Sequence, residues 1–120
     1  MPDPLKYSRK NYYVCKLIFI IIYIIKINIK QTQKLAIHYK INLDVINFLE
    51  WHYGLNVELE HGKKFGIITN ITNNNILITA KIVIAHLIEF PDYYKRLQKL
   101  EIAADKFWIN KNKPNIFIIF

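Results

Sequence analysis

The sequence predicts a small, mainly α-helical domain: a helix-loop-helix-helix core preceded by an apolar N-terminal segment whose pattern fits helix and strand alike. Three observations carry this fold class. Phe48, His52, Leu55 and Leu59 recur at the spacing of one helical stripe, and so do Tyr93, Leu97, Leu100, Ala104 and Phe107. Between these stripes a long apolar run ends at Pro91, which cannot continue a helix but fits the first turn of the next. At 120 residues the chain suits a single domain. It divides into a basic, apolar extension (1–30), a helical domain (31–110) and a short tail (111–120).

Leu17–Ile25 is an unbroken apolar run bounded by Lys16 and Lys26. As a helix it would extend roughly 14 Å, about half the hydrocarbon thickness of a bilayer. If both lysines snorkel, residues 12–29 become a candidate membrane anchor. The following stretch has no Ala, Gly or Ser at which a signal peptide would be cut. Ile25, Ile27 and Ile29 alternate with Lys26, Asn28 and Lys30, the period of a strand.

Gln31–Tyr39 reads as a short helix, with Leu35 and Tyr39 four apart. Asn42 to Asp44 offers a cap for the second helix, which is expected to continue through His61 to a left-handed cap at Gly62. Gly54 is expected to weaken or bend it, at about 1 kcal/mol relative to Ala. Lys63–Leu77, with Gly66 and the run Asn73-Asn74-Asn75, reads as loop. Thr79 is the expected N-cap of a helix over 80–89, and Asp92 stands where the dipole of the last helix favours negative charge.

The net charge of +8 suggests an anionic partner, but its distribution argues otherwise. Residues 1–48 carry a balance of +6, residues 49–108 balance seven basic against seven acidic groups, and Arg96 is the one arginine beyond the extension. A nucleic-acid surface normally concentrates arginine at its recognition element, so nucleic acid is disfavoured as partner. Cys15 is the one cysteine, which rules out an intramolecular disulfide or a thiolate zinc site. Three glycines leave no phosphate-cradling loop of the common types. The excess of Lys over Arg, with abundant Ile and Asn, is what an AT-rich genome would encode.

Two runs carry candidate chemistry: Glu58-Leu59-Glu60-His61, and His86-Leu87-Ile88-Glu89 followed by Phe90-Pro91-Asp92-Tyr93-Tyr94. Each sets a carboxylate and an imidazole three residues apart, on one face of a helix. Two such helices running antiparallel would set Glu58 level with Glu89 and His61 level with His86. Glu58, His61, His86 and Glu89 are therefore candidate ligands for a divalent transition metal such as zinc, iron or manganese, with Glu60 and Asp92 as outer partners. The dinuclear iron bundles use Glu-x-x-His in one direction and carboxylates from four helices. One run here is reversed, which leaves a mononuclear site. The competing reading is local: His61 suits a helix C-terminus, Glu58 can pair with it, and the carboxylates at the junction can cap orphan amides.

Gly54-Leu55-Asn56-Val57-Glu58-Leu59-Glu60-His61-Gly62, then Thr79 to Ile82 and Ala85 to Leu97, resemble a family of short uncharacterised proteins found in tailed phages, giant DNA viruses and some bacteria. The resemblance spans about residues 33–108. It implies a small helical domain and a viral source, hence the host cytoplasm or a virion, or a membrane if residues 12–29 insert, and it implies no activity. Relatives of this kind begin near Gln31, so residues 1–30 read as a lineage-specific extension or, equally, as an upstream start of little consequence. The resulting expectation is an accessory or binding protein with a protein partner, acting through a Glu/His-rich surface at a helix junction. A metal-binding protein or hydrolase and a membrane-anchored protein are the alternatives.

Overall fold

The computed structural model describes residues 27–118, and it places four α-helices and no strand among them. They are α1 (Ile29–His38), α2 (Phe48–Glu58), α3 (Ile76–Glu89) and α4 (Tyr93–Trp108), with short 3-10 turns at Leu59–His61 and Lys63–Phe65. The mainly α-helical fold class therefore holds. The expected anchor over residues 12–29 lies almost wholly outside the described residues. No described helix is long and apolar enough to cross a membrane.

α2 is the centre of the domain and packs on α1, α3 and α4. A helix surrounded on several sides needs apolar groups around most of its circumference. α2 supplies Trp51 and Leu55, and the 3-10 turn after it Leu59, which meet Leu35 and Ala36 from α1, Ala80, Val83 and Leu87 from α3, and Tyr94 from α4. The predicted Phe48, His52, Leu55, Leu59 stripe is only part of this surface. Trp51, fully buried, donates its indole N–H to the Thr32 carbonyl and ties α2 to α1.

Gly54 has a packing role. A Cβ there would lie 2.5 Å from Tyr94 Cε2 and 2.9 Å from Val83 Cγ1, so the bare backbone is the notch into which the Tyr94 ring fits. The helix runs on through this position without ending.

The caps correct three expectations. α2 is capped by Asn47 rather than by Asn42 to Asp44, because the Asn47 side chain accepts from Leu49 N–H while Asn42 closes its own turn onto Asp44 N–H. α3 begins at Ile76 under Asn75, whose side chain accepts from Leu77 and Ile78 N–H. Thr79 already lies inside that helix, and its hydroxyl donates back to the Asn75 carbonyl. Gly62 has φ −93°, outside the left-handed region. It is required for space, since a Cβ would overlap the Asn74 side-chain oxygen.

α4 forms over its expected span, but its buried face is turned one position. Tyr94 is fully buried, whereas Leu100 and Phe107 of the predicted stripe are 65% and 56% exposed. α4 is tied to α2 near its beginning, by Lys95 N–H donating to Glu50, and again where Tyr53 donates to Glu101.

Candidate functional site

Glu58 ends α2 at the crossing of α3 and α4, and it is buried. A carboxylate there is costly unless its oxygens find donors. Tyr94 donates its hydroxyl to Glu58 Oε1 at 2.7 Å. His61 Nε2 lies 3.0 Å from Oε2 without the alignment of a hydrogen bond, which leaves Oε2 buried with no donor, and His86 Nε2 lies 3.6 Å from Oε1. Each partner arrives by a different route. His61 comes from the 3-10 turn that continues α2, one turn beyond Glu58. His86 comes from the last turn of α3, and Tyr94 from the first turn of α4 just past Pro91.

The imidazoles form the outer layer of this cluster. The His61 and His86 side chains are 42% and 31% exposed, against 4% for Glu58. His86 stacks on Tyr93 with ring centroids 4.2 Å apart and planes 11° from parallel, and it meets Tyr94 edge to face at 6.2 Å. Burial first, then the Glu58 charge, raises the pKa of both tyrosines, so Tyr94 remains a hydrogen-bond donor. Glu60, half-buried beside the cluster, has its pKa raised mainly by burial, against the opposing pull of His61.

The six residues singled out from sequence are thus split. Glu58, His61 and His86 converge, and Glu58 is the common partner, in place of two level Glu/His pairs. Glu89 is exposed, one turn beyond His86, and reaches the site only through its field on Tyr93. Asp92 accepts from Arg96 Nε at 2.9 Å, which holds its carboxyl below the usual range. Glu60 is alongside without joining. The imidazoles address opposite oxygens of one carboxylate. Among the described residues no three His, Cys, Asp or Glu side chains are grouped as metal ligands would be.

Sequence reasoning missed Tyr94 as the main donor to Glu58, since the two are 36 positions apart. Gly54, the notch for the Tyr94 ring, was the available signal. A groove of about 400 Å³ lies elsewhere, lined by residues including Asn47, Glu50, Tyr53 and Lys95. Its Glu50 already accepts the Lys95 N–H, and none of Glu58, His61 or His86 borders it.

A family model described as protein of unknown function (DUF5661) matches residues 25–103, about two thirds of the chain and the whole of the Glu58 cluster. No curated protein and no solved structure matches the chain.

Proposed function

The chain belongs to the DUF5661 family of proteins of unknown function, and we propose that it is a binding module whose recognition surface is the outer layer of the Glu58 cluster. The observation that carries this reading is the gradient of burial. One enclosed carboxylate, 4% exposed, lies beneath two imidazoles that are 31% and 42% exposed, and the outer ring of His86 is held by its stack on Tyr93. Side chains fixed before binding lose less freedom on association. The stacked His86 and Tyr93 rings offer a flat, partly apolar platform with polar edges, the composition that anchors protein interfaces. Phe90, with Arg96 above its ring at 4.8 Å, extends it along the α3–α4 junction. A protein segment presenting an apolar side chain beside a carboxylate or carbonyl acceptor is the partner this chemistry fits. On the sequence resemblance, the role we propose for such a module is that of a viral accessory protein.

Capture of a partner by the tagged full chain, followed by titration with the purified partner, tests the surface. His86→Ala and Tyr93→Ala are expected to weaken binding by about tenfold or more, the cost of losing an interface anchor. Tyr93→Ala should leave the melting temperature close to that of the parent, whereas His86→Ala also removes a neighbour of buried Glu58 and is compared at equal folded fraction. Unchanged binding with a lowered melting temperature would make the cluster purely structural. A divalent metal held by Glu58, His61, His86 and Glu89 is the competing reading. A stoichiometric transition metal in elemental analysis of the purified chain would replace protein recognition with it.

A further inference from the structure

The segment between the two 3-10 turns and α3 sets four large apolar side chains in water. Phe65, Ile67, Ile68 and Ile71 are 62%, 90%, 73% and 74% exposed. Isolated exposed apolar residues are ordinary, but four within seven positions of one loop are not.

The loop's conformation is fixed by polar contacts at its base. The His61 carbonyl accepts from both Ile71 and Thr72 N–H, at 2.7 and 3.2 Å. Asn74 accepts from Lys63 N–H at 2.9 Å, and Asn70 accepts from Asn73 N–H at 2.8 Å. Gly66 turns at φ +94°, and Asn73 and Asn74 take φ +52° and +61°, which asparagine tolerates better than most residues. A loop closed at its base in this way holds its apolar tip outward.

Charge distinguishes the occupants. Residues 61–88 hold Lys63, Lys64 and Lys81 and no acidic side chain, with Glu60 and Glu89 at the borders and Glu60 within the field of Lys64. Lys63 and Lys64 immediately precede the apolar tip, with the Lys64 ammonium 4.8 Å from the Phe65 ring centroid. A protruding apolar tip with lysines at its edge matches the boundary between anionic headgroups and acyl chains, where cations stay at headgroup level and apolar groups enter below.

We propose that Lys63–Ile71 is a peripheral docking loop for an anionic lipid surface, with Phe65, Ile67, Ile68 and Ile71 entering the bilayer boundary and Lys63 and Lys64 meeting the headgroups. This contact is separate from the Glu58 cluster and needs no membrane-spanning helix.

Co-sedimentation of the full chain with vesicles of phosphatidylserine and phosphatidylcholine, against phosphatidylcholine alone, tests it. The parent is expected to bind the anionic vesicles, with affinity falling as salt rises. Ile67→Asp with Ile68→Asp, and separately Lys63→Glu, should each lower partitioning by about tenfold or more. Lys63, Lys64, Ile67 and Ile68 are all exposed, but Lys64 lies within the field of Glu60, so Lys63→Glu alone is the charge variant expected to keep the parent's melting temperature, and the Ile67→Asp with Ile68→Asp variant checks it independently. Equal vesicle binding by parent and both variants would assign any affinity to residues 17–25 and overturn the proposal. So would a parent that ignores vesicles but forms dimers that Ile67→Asp with Ile68→Asp abolish, because the loop would then cover a second copy.

Discussion

The Tyr94 hydroxyl meets Glu58 Oε1 at 2.7 Å, joining the end of α2 to the start of α4 inside the core. Neither residue can be understood alone: the phenol has its one buried acceptor there, and the carboxylate has its shortest contact.

Tyr94→Phe should therefore destabilise the domain while preserving its shape. Glu58 Oε1 would keep only His86 Nε2 at 3.6 Å, and leaving a buried acceptor short of a donor costs about 1–3 kcal/mol. For a domain of this size that is a fall of roughly 4–24 °C in melting temperature. Thermal unfolding followed by circular dichroism measures it, and an unchanged transition would remove the bond from the stability of the fold.

Gly54→Ala runs against helix propensity. In an exposed helix the substitution would stabilise by about 1 kcal/mol. Here the new Cβ would meet Tyr94 Cε2 at 2.5 Å and Val83 Cγ1 at 2.9 Å, both within the packed interior. Overpacking of this kind costs about 1–3 kcal/mol, so the net change is expected to be destabilising. A denaturant midpoint at or above that of the parent would contradict the packing of Tyr94 on α2.

Asn56→Ala should release the start of the described chain. Asn56 Oδ1 accepts from Ile27 N–H at 2.9 Å, and its Nδ2 donates to the Ile27 and His52 carbonyls at 3.2 and 3.0 Å. Ile27 is buried, so its amide would lose its partner away from water, at about 1–3 kcal/mol. Hydrogen exchange gives a local readout: the Ile27 amide should exchange much faster, while amides in the middle of α3 change only with global stability.

Stability should carry an acid-side term from His52. Its ring is buried, and burial lowers its pKa below the ordinary 6.5. His52 Nδ1 meets Thr32 Oγ1 at 2.6 Å, and the Thr32 hydroxyl also reaches the Asn28 carbonyl at 2.9 Å. As pH falls below 6.5 the unfolded chain takes up a proton there that the folded ring resists. Stability contributed by this residue is therefore full above 6.5 and declines below it, down to the folded pKa. The readout is the difference between parent and His52→Gln in denaturant midpoint from pH 7.5 to 5. The parent's midpoint should fall more steeply with acid, and parallel pH dependences would show that His52 does not carry the term.

Much of the architecture was legible in local pattern. The 3.6-residue stripes placed α2 and α4, and Pro91 placed the break between α3 and α4, because periodicity and proline geometry act within a few residues. Caps were misjudged because several Asn and Thr residues compete near each helix start. Asn75 prevails over Thr79 only because its side chain reaches two amides at once. The Glu58 cluster was half legible. His61 shares a turn with Glu58 and was found by spacing, and His86 was found as a chemical candidate but paired with the wrong carboxylate.

By itself, then, the sequence determined the helical class, the long helices and the two runs that supply Glu58, His61 and His86, since these depend on residue type and local spacing. Only the tertiary structure decided that one buried carboxylate serves both imidazoles, that Tyr94 rather than Glu89 completes the group, and that Gly54 makes room for it. Those outcomes depend on where α3 and α4 cross α2. That crossing is set by side-chain volumes far apart in the chain, which no local pattern encodes.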